Sequence, residues 1–269
     1  MELIVLDIDG TLLDSNNHLP DSAEKAIRAL ISRGKHVTLC TGRCYPEVYP
    51  IIDHLGIRDP YAVSGGSAIY DPVLDGAIYF SLMRTDQILS LVDMARTFQM
   101  GILAHTIKEL ICEVADMDWV YIQSLETMRG HGSFMPKRVQ DITTQINNGI
   151  IRLNVFSRTM KLEDILPEIS KRNLDVHAIK MTRTIEIANA GIHKGAALQR
   201  IAGYLEIPLE KTAAIGDALN DMEFLKSAGY GIAMGNAPDA LKQVADFVAP
   251  SSDEDGLAIA LEKLASEKD

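Results

Sequence analysis

The sequence predicts an α/β protein: a Rossmann-type parallel sheet with helices on its faces, interrupted by an inserted α+β domain. Three observations predict it. Strand-like and helix-like runs alternate from the first residues onward. The same alternation returns towards the end of the chain, and between residues 82 and 185 the texture changes. The expected division is residues 1–81 with 186–269 as a core, and 82–185 as the insertion.

The first strand covers residues 3–8, and a helix follows at 22–33, where Ala23, Ala26, Ile27, Leu30 and Ile31 recur at helical spacing. Asp21 with Glu24 reads as a capping box for that helix and Gly34 as its stop. A short β run, His36 to Cys40, leads into Thr41-Gly42-Arg43, and the stretch after Pro46 reads as a helix closing at Gly56. This βαβα order requires parallel strands joined by crossovers.

The middle block reads as a helix at 86–99, two β runs within 101–114, and a helix around Trp119 to Met128. A strand at 150–156, a helix at 162–172 and two strands up to Ile187 follow, so the two helix-then-two-strand units suggest a duplicated motif. The late alternation runs helix 194–205, strand 212–216, helix 220–227, strand 230–234, helix 238–245 and helix 254–266.

Composition narrows the class of function. Of 269 residues, 26 are basic and 37 acidic, for a net charge of -11, which argues against a phosphate-backbone footprint and hence a nucleic acid partner. Cys40, Cys44 and Cys112 are odd in number and lack metal-ligand spacing, which fits buried packing residues in a reducing compartment. The first residues lack the features of a signal peptide, and no apolar run approaches the ~20 residues that span a bilayer, so the chain is expected in the cytoplasm without membrane contact.

Parallel α/β sheets bind ligands beyond the carboxyl ends of their strands. Asp7 and Asp9 stand at one such end, Thr41 at a second and Asp217 at a third, and strand alternation would point Asp7 and Asp9 to the same side. Paired carboxylates joined by a third make a hard, all-oxygen site, which suits Mg²⁺. An acidic pair also caps helices and solvates turns, and this motif alone leaves both readings open.

Four ordered motifs decide between them: "DIDGTLLDS", "TGR", the isolated lysine of "GIHKGAAL", and "GDALNDMEFL". With the tail "GIAMGNAPDALKQVAD" they make the chain resemble, over essentially its whole length, the haloacid dehalogenase-like (HAD) phosphatases of the Cof-type subfamily, whose large cap (the IIB type) is inserted between the second and third motifs. The resemblance implies a Mg²⁺-dependent phosphatase of small phosphorylated metabolites, sugar phosphates first among them. It implies Asp7 as nucleophile and Asp9 as general acid and base. The Mg²⁺ ligands would be the Asp7 carboxylate, the Asp9 backbone carbonyl and Asp217, with Asp221 buttressing them. The phosphate donors would be Thr41, Lys194, Asn220 and the backbone N–H groups of Ile8 and Gly42. Lys194 at a predicted helix N-terminus is placed where the helix dipole favours an anion. Gly10 would allow a sharp turn past the site and Thr11 would brace the loop.

Arg43 has two readings, a bidentate phosphate clamp or a brace through a salt bridge, and His193 reads as a helix cap. The other histidines show no metal-ligand spacing. One departure from the family pattern is Ser64-Gly65-Gly66 where Asn-Gly-Ala is usual. The cap, hinged at about residues 82 and 186, is expected to close over the core rim and hold specificity, with Trp119, Tyr121, Met128, Arg129, His131 and Lys137 as candidates. Two rivals use the same site, a phosphomutase or phosphotransferase and a non-catalytic sensor of a phosphorylated metabolite. A nicotinamide enzyme is disfavoured because no GxGxxG follows the first strand.

Overall fold

A computed structural model describes residues 1–115, 135–157, 160–181 and 184–266. In chain order the strands are β1 (Leu3–Leu6), β2 (His36–Leu39), β3 (Tyr61–Val63), β4 (Ala68–Asp71), β5 (Gly76–Phe80), β6 (Gly101–Thr106) and β7 (Leu110–Glu113). They continue as β8 (Lys137–Arg138), β9 (Ile150–Phe156), β10 (Val176–Lys180), β11 (Ile185–Asn189), β12 (Thr212–Gly216), β13 (Tyr230–Ala233) and β14 (Phe247–Val248). The helices are α1 (Asp21–Ser32), α2 (Tyr45–Leu55), α3 (Thr85–Thr97), α4 (Leu166–Lys171), α5 (Lys194–Tyr204), α6 (Met222–Ser227), α7 (Asp239–Lys242) and α8 (Gly256–Ser266). Among the described residues no helix is long and apolar enough to cross a membrane.

The chain divides into two compact units, Met1–Arg43 with Val48–Tyr79 and His193–Asp269, and Cys44–Glu47 with Phe80–Ile192. The first unit is built on a parallel sheet in the order β14-β13-β12-β1-β2. Its interior strand β1 is buried along its length, as a parallel strand covered on both faces must be. β1 is flanked by β2 from one half of the chain order and β12 from the other, which puts the switch in strand order at β1. Leu3 and Val5 pack with Ala197, Leu198, Ile201 and Phe224 from α5 and α6.

Local chemistry explains most boundaries. α1 buries Ala23, Ile27 and Leu30 at the expected spacing, and Gly34, at φ +76°, follows its end. The capping box expected from Asp21 and Glu24 is absent: Pro20 is the N-cap, it makes no side-chain cap bond, and both acids lie inside the first turn. Proline pre-sets the extended entry into the helix, but it has no side-chain acceptor with which to cap it. The antiparallel sheet β3-β4-β5 has no counterpart in the sequence reading.

The second unit holds a six-stranded sheet in the order β10-β11-β9-β6-β7-β8. Ile102, Ala104, Leu153, Val155, Ile185 and Ile187 of β6, β9 and β11 belong to one buried cluster with Ile88, Leu91 and Val92 of α3. β11 pairs antiparallel with β9 and β10, so the return to the core expected at residue 186 falls inside a strand of this sheet, and the compact unit runs on to Ile192. The helix expected around Trp119 to Met128 lies outside the described residues, as do the candidates Trp119, Tyr121, Met128, Arg129 and His131. Lys137 is exposed, with its ammonium 3.9 Å from Glu109 Oε1.

Candidate active site

The adjacent strands β12, β1 and β2 end level with one another, because Leu6 pairs with Ile215 on one side and Leu39 on the other. The residues beyond those ends are Asp217, Asp7 and Thr41. β1 stops at Leu6, so strand alternation does not extend to Asp9, and the two acids take different partners. Asp7 is buried, its N–H donating to Ile215 O at 2.9 Å and its Oδ1 lying 2.8 Å from Lys194 Nζ. The Asp9 side chain is 55 % exposed and sits on Arg43, whose Nη2 donates to Oδ1 at 2.6 Å and Nε to Oδ2 at 3.0 Å.

Lys194 begins α5, capped by His193, whose Nδ1 accepts the Ala196 N–H at 3.2 Å. Its buried ammonium also donates to Asp221 Oδ1 at 2.6 Å. Asp221 Oδ2 accepts the N–H groups of Asp217 and Ala218 at 3.0 and 2.9 Å, which bends the chain after β12. That turn needs room: a Cβ on Gly216 would stand 2.5 Å from Asp221 Cγ.

Asp217 Oδ1 accepts from Thr11 Oγ1 at 3.3 Å and Oδ2 from Asn236 Nδ2 at 3.1 Å. Thr11 thus braces Asp217. Gly10, at φ +76°, is the point of closest approach, since a Cβ there would fall 2.3 Å from Asp217 Oδ2. Thr41 is fully buried and its Oγ1 accepts the Arg43 N–H at 3.1 Å, leaving the hydroxyl proton to be donated. Ile8 is buried, its carbonyl accepting the N–H groups of Thr11 and Leu13. Gly42 lies between Thr41 and Arg43 in the turn that follows β2. Asn236 is a site residue that the sequence reading missed. It follows β13, the fourth strand to end on this rim, and that position was the available signal.

Carboxylate oxygens of Asp7, Asp217 and Asp221 all lie within 4.8 Å of one another. One ammonium serves the three. Burial pushes the Asp7 carboxyl well above its usual range, Asp221 and Asp217 adding to the effect that Lys194 opposes. Burial likewise pushes Asp217 up to about 6, with Asp221 adding. Burial pulls the Lys194 ammonium down, but Asp221 and Asp7 more than offset it and hold it above its usual range. A divalent cation suits this donor set on two grounds: hard oxygen ligands and an excess of buried negative charge. Asn220 Oδ1, buried without a hydrogen-bond partner next to Asp221, is a further oxygen of the same kind.

The sequence profile of the haloacid dehalogenase-like hydrolases matches residues 4–261. The chain belongs to that family. It is similar to two phosphatases of Bacillus subtilis (strain 168) named for 5-amino-6-(5-phospho-D-ribitylamino)uracil. YitU is 28% identical over 266 residues, covering 95% of this chain and 94% of the relative. YwtE is 30% identical over 290 residues, covering 99% of each. The crystal structure of a haloacid dehalogenase-like hydrolase from Bacteroides thetaiotaomicron superposes with a TM-score of 0.86 at 25% identity, covering 98% of this chain and 99% of that one. The α/β core with added sheets is the HAD fold, and the chain is an enzyme of the phosphatase type.

Proposed function

We propose that the chain is a Mg²⁺-dependent phosphatase of small phosphomonoesters that works through an aspartyl-phosphate on Asp7. The observation that carries this reading is the division of the two motif acids: Asp7 buried among Asp217, Asp221 and Lys194, Asp9 exposed on Arg43. Asp7 and Asp217 would hold the metal with the Asp9 carbonyl, and Asp221 would brace them. When bound, the ion supplies positive charge between the Asp7 carboxylate and a phosphate dianion.

An Asp7 oxygen attacks phosphorus in line as the bond to the alcohol oxygen breaks. Lys194 keeps Asp7 aimed and opposes its protonation. Thr41, Asn220 and the N–H groups of Ile8 and Gly42 face the spreading charge of the equatorial oxygens. Asp9, protonated and released from Arg43, gives its proton to the leaving oxygen. It then takes a proton from the water that hydrolyses the acyl phosphate, which regenerates Asp7 and frees inorganic phosphate.

The substrates belong to the sugar and sugar-alcohol phosphates. Two similar phosphatases are named for a phosphate on a D-ribityl chain, which is a polyol monoester. The test is phosphate release from sugar phosphates, nucleotides and a phosphoribitylamino pyrimidine, each with Mg²⁺ and with chelator. Metal-dependent release from the polyol esters is expected. Release that survives chelation sinks the metal, and isomer formation without release turns the assignment to a mutase.

A further inference from the structure

We infer that Asn236 is a positioning residue for the Mg²⁺ site, holding the Asp217 carboxylate in a binding-competent orientation; this rests on the metal reading proposed above. Asn236 lies in the turn after β13, at a solvent-exposed position where a polar side chain has water for a partner. It binds protein instead. Nδ2 donates to Gly10 O at 2.9 Å and to Asp217 Oδ2 at 3.1 Å, and Oδ1 accepts the Ser252 N–H at 3.1 Å. These partners also fix which end of the amide is which, since a flipped amide would set its oxygen against a carbonyl and a carboxylate.

The turn that carries Asn236 is itself held to the same rim. Met234 N–H donates to Gly216 O at 3.0 Å, at the end of β12, and Gly235 N–H to Pro250 O at 3.1 Å. Asn236 therefore joins three separate stretches: the turn after Asp9, the carboxylate after β12, and the Ala249–Ser252 segment. Asp217 is gripped at three points, its N–H by Asp221, Oδ1 by Thr11 and Oδ2 by Asn236. Thr11 ties one carboxylate oxygen to the turn that leads away from Asp7 and Asp9, and Asn236 ties the other oxygen to Gly10 O of the same turn and to the Ser252 backbone. Partners that orient metal ligands in this way change metal affinity by about 10- to 100-fold when removed.

The experiment is a Mg²⁺ titration of the metal-free chain read by the rise in Tm, beside the half-saturating Mg²⁺ concentration for phosphate release. Asn236→Ala is expected to weaken Mg²⁺ by about tenfold or more in both readouts. Its Tm in chelator should stay close to that of the unsubstituted chain, and kcat should recover at saturating Mg²⁺, which a merely structural defect would not allow. Asn236→Ser, which keeps a hydrated polar side chain, covers the case in which the alanine variant folds poorly. Mg²⁺ affinity within twofold of the unsubstituted chain in either folded variant overturns the inference. An unsubstituted chain whose Tm ignores Mg²⁺ overturns the metal reading itself, and with it this role for Asn236.

Discussion

Arg43 closes on Asp9 with two nitrogens while Asp7, two residues earlier, is held by Lys194, so neighbouring carboxylates in one motif live under opposite conditions. The guanidinium stabilises a charged Asp9 at the rim, and opening of the pair frees the side chain for proton transfer. Asp9 is 55 % exposed and Arg43 8 %, and an asparagine in place of Asp9 keeps an oxygen for the guanidinium to donate to. Asp9→Asn should therefore leave the fold unchanged and slow hydrolysis of alkyl phosphates by roughly 10²- to 10⁴-fold. Aryl phosphates, whose leaving groups need no proton, should lose much less. Steady-state rates on a sugar phosphate and on p-nitrophenyl phosphate make the comparison, and equal losses on both would remove Asp9 from the acid role. Asp7→Asn should abolish turnover of both.

Asp217 predicts a pH dependence of the metal-free chain. Burial raises its carboxyl from the ordinary 3.8 to about 6, so between those values the folded state binds more protons than the unfolded state. Stability therefore falls as pH rises through that window and levels off above it, by up to ~3 kcal/mol from this group. Asp217→Asn should be more stable than the unsubstituted chain in chelator at neutral pH, with a flatter profile. Added Mg²⁺ should raise Tm for the unsubstituted chain and not for the variant. Urea melts at pH 4.5 and 7 check the slope.

Gly10 gives a sharper structural test. Alanine there meets two objections at once, a φ of +76° and a Cβ that would stand 2.3 Å from Asp217 Oδ2. The strain alone costs about 1 kcal/mol or more, and the carboxylate has to move. Gly10→Ala is expected to lower Tm by a few degrees and to weaken Mg²⁺ binding. A variant with unchanged metal affinity would show that Asp217 can retreat without consequence.

Much of this site is legible in sequence because each acid ends a short apolar strand, and parallel strands deliver their ends to one rim. Asp7, Thr41 and Asp217 lie where that rule puts them. What the local pattern does not contain is the choice of partner. Asp217 meets Thr11 across 206 residues and Asn236 across 19, and Arg43 meets Asp9 across 34. Residue 186 falls inside β11, which is assigned to its sheet by pairing with β9 and β10 rather than by its own composition. The sheet of β3, β4 and β5 escaped notice because its short strands follow one another without an intervening α-helix and so break the βα rhythm.

The second unit carries a buried charge pair that yields the last prediction. Arg152 of β9 is 2 % exposed and pairs with Glu186 of β11, while its Nε donates to Asn154 Oδ1 at 3.0 Å. Asn154 in turn meets His105 Nε2 at 3.3 Å on β6, so the polar side chains link three adjacent strands. Burial pulls the guanidinium down to about 9. Removing one partner strands the other charge: Glu186→Leu should destabilise the chain by about 3–5 kcal/mol. Replacing both, Arg152→Met with Glu186→Leu, removes the desolvation penalty together with the attraction and should recover most of that loss. Chemical denaturation of the two variants decides the matter. A double variant as unstable as the single one would mean that Arg152 contributes through its contact with Asn154 rather than through its charge.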